Sequence, residues 1–259
     1  MRITLLQTDI AWNDTQENIR RVERLLNDAP SSDVYVLPEM WNTGFLTQPE
    51  TSYLEEDCKK ALRFMKEQAA RYDAAMAGSV AAVDDKGGLR NRFYFVLPDG
   101  SVNYYDKHHL FTMGGEHGFY EAGCRVMDVE WRAVMFRLSV CYDLRFPVWL
   151  RNNARQPYDV LLCVASWPQV RQQVWDILLR ARAIENQCFV VGVNRVGDDP
   201  SLSYAGGSVV VDAKGREMVK LGCGAGTSTI DLDMEALCNF RRRFPVLDDA
   251  DKTKVEDPF

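Results

Sequence analysis

Three side chains, each placed directly after a stretch that reads as a β-strand, supply a thiol, a carboxylate and an ammonium. Cys141 ends the apolar run Ala133 to Val140 and is followed by Tyr142, Asp143, Leu144, Arg145, Phe146 and Pro147. The run suits a buried strand, and Asp143 with Pro147 suits a turn that opens a helix, so the thiol is expected at a strand-to-helix elbow. A helix N-terminus at that point favours the thiolate. Glu39 follows the strand Asp33 to Leu37, and Lys107 opens the loop after the strand Ser101 to Tyr105. A carboxylate can take the proton of a thiol as the sulfur attacks, and an ammonium can hold first the thiolate and then a developing oxyanion. The same acid can then donate to a departing nitrogen. That is the inventory for nucleophilic attack on an amide. Taken singly, each residue has a plainer reading: a buried structural cysteine, a surface glutamate, a solvent-facing lysine.

The elements that must bring these ends together alternate in type. Residues 2 to 9 read as a strand, and Asp14 with Glu17 makes a capping-box start to a helix with the apolar stripe Ile19, Val22, Leu25 and Leu26. After Glu39 comes a loop, Trp41 to Glu50. Ser52 with Glu55 caps a second helix with Leu54, Cys58, Leu62, Met65, Ala69 and Tyr72 on one face. From Ala74 to Tyr105 short strands are punctuated by Lys86-Gly87-Gly88 and Asp99-Gly100, the marks of hairpin turns. A long loop to Gly123 leads to strands near 125 to 131 and 133 to 140. Beyond Cys141 the reading is a short helix, a strand at Asp159 to Ala165, and a long helix with Val170, Val174, Ile177, Leu178, Ala181 and Ile184 inward. The strand Cys188 to Asn194 follows, then strands around 207 to 212, 217 to 220 and 227 to 231 and a helix from Met234. This order predicts an α/β layered fold with mixed sheets in one domain, 1–259, with 244–259 as a C-terminal tail.

Composition excludes several classes. The chain has 259 residues, 46% hydrophobic and 26% charged, with a net charge of −6, which fits a globular domain with a sizeable core and argues against a nucleic-acid surface. Arg241 to Arg243 reads as a solvated helix end. The N-terminal MRITLLQTDI does not read as a signal peptide, and no apolar run approaches the ~18 residues of a membrane span, so a cytoplasmic protein is expected. The seven cysteines, at 58, 124, 141, 163, 188, 223 and 238, show no CxxC pair, and most sit in apolar runs. Reduced thiols, six of them buried around a reactive one, are the simplest expectation.

Five stretches carry a more specific signal. LPEMWNTGF (37–45), DKHHLF (106–111) and SVCYDLRFP (139–147) resemble the three signature stretches of the nitrilase superfamily of carbon-nitrogen hydrolases, in that order. RARAIENQCFVVGVNRVG (180–197) and FRRRFPVLDDAD (240–251) are similar to it as well. The resemblance implies a four-layer αββα sandwich with two mixed β-sheets. It implies Glu39 as general base and acid, Lys107 as oxyanion stabiliser, Cys141 as nucleophile and the Tyr142 backbone N–H as second oxyanion donor. Glu116, in GGEHG, looks like the additional glutamate that positions substrate and Lys107. Residues TGF, CYDLRFP and SWP (166–168) make the chain most similar to the omega-amidases, which act on small keto-acid amides such as 2-oxoglutaramate. On that resemblance Arg145 grips a distal substrate carboxylate and Trp167 forms an aromatic wall; the plainer readings are an Arg145–Asp143 pair and core packing. No metal or organic cofactor is implied, and homodimers or higher homo-oligomers are. One departure stands out: Val148 follows Pro147 where many relatives have glutamate, which predicts a lost ion pair.

Other chemistries fit less well. A Cys–His hydrolase would have to use His108, His109 or His117, and adjacent residues of an extended segment cannot both face one site. No zinc-ligand spacing is present, and GCGAGT (222–227) lacks the Gly-Lys-Ser/Thr ending of a P-loop. Another nitrilase-superfamily branch, or a catalytically silent binding protein on the same fold, remains as the alternative.

Overall fold

The computed structural model describes residues 1–46 and 51–250, with side chains from residue 53 in the second stretch. The first half of the chain forms β1 (Arg2–Gln7), α1 (Thr15–Asp28), β2 (Val34–Val36), α2 (Thr51–Tyr72), β3 (Ala75–Val83), β4 (Leu89–Val96) and β5 (Val102–Asp106). The second forms β6 (Asp128–Trp131), β7 (Val134–Val140), β8 (Val160–Ala165), α3 (Gln172–Asn186) and β9 (Phe189–Asn194). A short hairpin, β10 (Val196–Asp198) and β11 (Ser203–Ala205), precedes β12 (Val209–Val211), β13 (Glu217–Lys220), β14 (Gly226–Asp231) and α4 (Met234–Arg243).

Runs that are apolar at successive positions become strands covered on both faces, and these are the parallel ones. Two six-stranded mixed sheets result, ordered β14-β1-β2-β3-β4-β5 and β13-β12-β9-β8-β7-β6. In each, a parallel triplet (β1, β2, β3 and β7, β8, β9) is flanked by antiparallel strands. The sheets pack face to face. Leu5, Val36 and Phe93 share one core with Leu138, Val140 and Leu162, and the rings of Phe95 and Phe136 meet at 5.4 Å. The other face of the first sheet takes α1 and α2 through Leu6, Tyr35 and Met76 against Val22, Leu26, Ala61 and Met65. On the second sheet α3 lies so close to β9 that a Cβ on Gly192 would stand 2.6 Å from Leu179. The four-layer αββα sandwich expected from the resemblance is the observed one.

Several local expectations need correcting. Of the expected α3 stripe, Val174 and Leu178 pack partly buried against the core, but the fully buried residues are Trp175, Leu179, Arg182, Ala183 and Asn186, and Ile177, Ile184 and Val170, which precedes the helix, are exposed. The apolar stripe misled because the buried face carries two polar residues with specific partners: Arg182 donates to the Leu144 carbonyl at 2.7 Å, and Asn186 accepts from Asn152 N–H at 2.8 Å. Arg241 is not simply solvated; it bonds Asp159, the Tyr158 carbonyl and the Gln187 carbonyl. The tail is ordered at its start, where Leu247 is buried in a 3-10 turn, Val246–Asp249. Phe259 lies outside the described residues, and the cap expected of the Ser52 side chain falls outside the described side chains. At α1, Asp14 caps Glu17 N–H at 2.9 Å, but the Glu17 side chain pairs with Arg20 and Arg21 rather than closing a box. Cys58, Cys163 and Cys188 are buried, but Cys124, Cys223 and Cys238 are exposed, since the first two lie in loops and the third on a solvent-facing side of α4. No helix among the described residues is long and apolar enough to cross a membrane.

Candidate active site

Glu39 is delivered by the chain leaving β2. Leu37 N–H bonds the Ala77 carbonyl at 2.7 Å and Met40 N–H bonds Ser79 Oγ at 3.0 Å, so the segment runs along β3. It can do so because residue 78 is glycine: a Cβ there would lie 2.7 Å from Leu37 Cβ. Ser79 Oγ then donates to Asn91 Oδ1 at 2.9 Å, which turns the two amide hydrogens of Asn91 toward two carboxylates, Glu39 at 2.8 Å and Glu116 at 3.0 Å. Lys107 Nζ sits between the same acids, 2.9 Å from Glu39 Oε1 and 2.9 Å from Glu116 Oε2. All three charged side chains are fully buried, which excludes the surface readings of Glu39 and Lys107.

The two glutamates differ in what they have left to offer. An ionised carboxylate has about four lone-pair sites. Glu116 fills its sites with Asn91, Lys107 on both oxygens and the Phe111 N–H. Glu39 fills both sites of Oε1 with Lys107 and Asn91, but Oε2 accepts only the Ser166 N–H, at 2.8 Å. One lone pair on Glu39 Oε2 is therefore open to a proton, and none on Glu116 is.

Cys141 opens a five-residue 3-10 turn, Cys141–Arg145, with φ of 45°. That left-handed backbone costs a non-glycine residue about 1–2 kcal/mol, and Asp143 holds it in place. Oδ2 of this buried acid accepts from Val140 N–H at 3.0 Å and Tyr105 Oη at 2.8 Å. Its Oδ1 meets the His109 N–H and Nδ1 at 2.9 and 2.8 Å. Residues on either side of Lys107 are thus tied to a residue two past Cys141, which brings the ammonium to the thiol. Tyr142 is the second residue of the turn, where a backbone N–H has no partner within the turn itself.

Glu39, Lys107, Cys141, Tyr142, Arg145 and Trp167 line one cavity of about 290 Å³. No histidine lines it. The expectation of a helix that favours the thiolate is overturned: burial pushes the Cys141 thiol well up, the charge of Glu39 pushes it further, and Lys107 offsets only part. A short 3-10 turn is too little helix to win against an adjacent carboxylate. Burial alone would push Lys107 down, but the charges of Glu116 and Glu39 outweigh it and hold the ammonium well above its ordinary range. The resting state is a neutral thiol beside an ionised lysine.

At the mouth, Arg145 does not pair with Asp143, whose oxygens are already taken. Its guanidinium lies 5.2 Å over the Trp167 ring. Trp167 is both wall and core: it lines the cavity, is 3% exposed, and packs 5.5 Å from Trp175. Val148 is exposed, and the segment after Pro147 is held instead by Trp149, which donates to Tyr105 Oη at 2.9 Å.

Residues 2–242 match the family described as carbon-nitrogen hydrolase. The chain belongs to that family. It is 43% identical to Omega-amidase YafV of Escherichia coli K12 over 98% of both chains, and 33% identical to the 2-oxoglutaramate amidase of Bacillus subtilis over 96% of this chain and 97% of the relative. A crystal structure of a CN-hydrolase superfamily protein from Xanthomonas campestris, with an arsenic adduct in its active site, superposes with a TM-score of 0.94 at 40% identity over 98% of each chain. The protein is a hydrolase of the nitrilase superfamily, acting on carbon–nitrogen bonds other than peptide bonds.

Sequence reasoning missed several parts of this hydrolase's cavity. Asp143 was available as a signal, an acid just past an apolar strand, whereas Asn91 lies between Arg90 and Arg92 and does not stand out among polar neighbours. The β10–β11 hairpin, whose loop places Asp199 to Leu202 and Tyr204 on the cavity wall, has strands of three residues and no period to detect. Trp12, Phe45 and Phe111, also on the wall, come from loops, and Arg171 from the 3-10 turn before α3.

Proposed function

We propose that this hydrolase is an omega-amidase that releases ammonia from the side-chain amide of a small keto-acid amide, 2-oxoglutaramate or a close analogue, through a Cys141 thioester in one domain. The observation that carries the reading is the cavity's two ends: at the bottom a buried acid with one open lone pair beside a thiol, at the mouth a cation, Arg145, with no acidic partner among the described residues. Cys141 Sγ attacks the amide carbon as its proton passes to Glu39 Oε2. Lys107 and the Tyr142 N–H stabilise the tetrahedral oxyanion, while Glu116, with no free lone pair, holds Lys107. Glu39 returns the proton to the nitrogen and ammonia leaves. A water deprotonated by Glu39 then cleaves the thioester, giving the acid and the free thiol. Arg145 holds the distal carboxylate of the substrate. The names of the E. coli and B. subtilis relatives support the same substrate class.

The test is ammonia release from 2-oxoglutaramate, glutamine, an N-carbamoyl amino acid and a simple nitrile, with intact-mass detection of the acylated protein. 2-Oxoglutaramate is expected to be turned over best, with a transient mass gain on Cys141. Preference for the nitrile or carbamoyl compound refutes the substrate. In Cys141→Ala, loss of activity on the order of 10⁶-fold is expected with the fold unchanged; turnover by this variant refutes the thioester.

A further inference from the structure

The mouth of the cavity contains a second guanidinium that the mechanism above does not use. Arg171, in the 3-10 turn before α3, lies 5.3 Å over the Phe111 ring and lines the same cavity as Arg145. Both arginines are partly buried. Among the described residues neither side chain has a carboxylate within 4.0 Å or a hydrogen-bond acceptor, whereas Arg92, also partly buried, and Arg137, more deeply buried, each grip an aspartate with two nitrogens.

The cavity also contains an acid near the mouth, Asp199, and it is spoken for. It accepts from Ser201 N–H and Leu202 N–H at 2.7 Å each and from Tyr204 Oη at 2.5 Å. These bonds shape the β10–β11 loop: Oδ1 holds two backbone N–H groups of that loop and Oδ2 the Tyr204 hydroxyl. Among the described residues the mouth therefore sets two guanidiniums without acidic partners against one acid, Asp199, that is already bonded on both oxygens.

We infer that Arg171 is a specificity-determining residue which, with Arg145, reads carbon 2 of the substrate, admitting a 2-oxo carboxylate and rejecting a 2-ammonium carboxylate. The inference rests on the keto-acid amide reading. A 2-oxo carboxylate presents only acceptor oxygens, the carboxylate pair and the adjacent carbonyl, and guanidinium groups are donors only. Glutamine has the same amide and the same carboxylate, but an ammonium replaces the carbonyl. Between two guanidiniums that ammonium meets like charge, and the one acid on the described wall near them, Asp199, is already bonded on both oxygens, so discrimination comes from repulsion as much as from attraction.

The experiment compares kcat and KM for 2-oxoglutaramate, glutamine, glutaramate (unsubstituted at carbon 2) and butanamide in the wild type, Arg171→Met and Arg171→Lys. Arg171→Met is expected to lose roughly 10- to 100-fold in kcat/KM on 2-oxoglutaramate, the loss of one charge-assisted contact, mainly through KM. Its preference for 2-oxoglutaramate over glutamine should fall by a similar factor, with butanamide unaffected. Arg171→Lys should keep most of the preference. Equal losses on all four substrates would mean a structural role and overturn the inference, as would an unchanged preference in Arg171→Met. If the wild type itself favours butanamide, the keto-acid amide reading fails first, before any variant is made.

Discussion

The bottom and the mouth of the cavity handle charge in opposite ways. At the bottom, Glu39, Lys107 and Glu116 are fully buried, and their polar atoms are bonded within the protein through Asn91, Ser166 and Phe111. At the mouth, Arg145 and Arg171 rest on aromatic faces with no acidic partner among the described residues. A bottom whose hydrogen bonds are already made needs little reorganisation when charge develops, which is where electrostatic catalysis gains most. A mouth whose cations lack partners gains most from an anionic ligand. The contrast predicts that damage at the bottom costs rate and stability together, while damage at the mouth costs substrate affinity alone.

The largest effect within this contrast belongs to Glu39→Gln. The variant keeps the shape and an acceptor for Lys107 but cannot take the thiol proton. A fall of about 10²- to 10⁴-fold in kcat is expected, read by ammonia release, with KM little changed. A His109→Ala variant that lost more than Glu39→Gln would favour the Cys–His chemistry instead and break the contrast at its base.

Asn91→Leu is the next smaller change. It removes a donor from each of two buried carboxylates at once and strands Ser79 Oγ. A loss of about 1–3 kcal/mol in unfolding free energy is expected, measured by urea denaturation, together with reduced kcat. Arg145→Met, by contrast, should raise KM and leave the urea midpoint where it was. If both variants shifted stability equally, the division between a pre-bonded bottom and an unpartnered mouth would be wrong.

The same division explains what could be read from the sequence. Strands such as β8 and β9 are unbroken apolar runs, and Glu39, Lys107 and Cys141 stand out as reactive residues just past other strands, β2, β5 and β7. Motif order then linked them. What stayed hidden was partnership across the fold: Asn91 dividing its amide between residues 39 and 116, and Asp143 tying Tyr105 and His109 to the elbow. Such bonds join positions far apart in the chain and leave no local period. The α3 stripe failed for a related reason, since Arg182 and Asn186 are buried by their hydrogen bonds and not by apolarity. Arg171 carries no motif signal at all, being one cation in a 3-10 turn.

The smallest effect is the alkaline stability of the bottom, and its sign follows from the buried protons. Burial raises the thiols of Cys163 and Cys188 to about 12, and burial with the charge of Glu39 raises Cys141. In the unfolded chain a cysteine loses its proton near pH 8.5 and a lysine near 10.4. Between those values and the native ones the folded protein holds more protons than the unfolded chain, so unfolding free energy falls as pH rises. Lys107 acts in the same direction: its stabilising charge is fully present below about pH 10.4 and is lost as pH climbs through its raised native value. Urea midpoints measured under reducing conditions should be level from pH 6 to about 8 and decline above about 8.5. In Cys141→Ala the decline should be shallower, because the proton that the native thiol keeps is no longer there. Parallel slopes in the two proteins would mean that the thiol beside Glu39 titrates like one in water, and the bottom would then lack the closed character that separates it from the mouth.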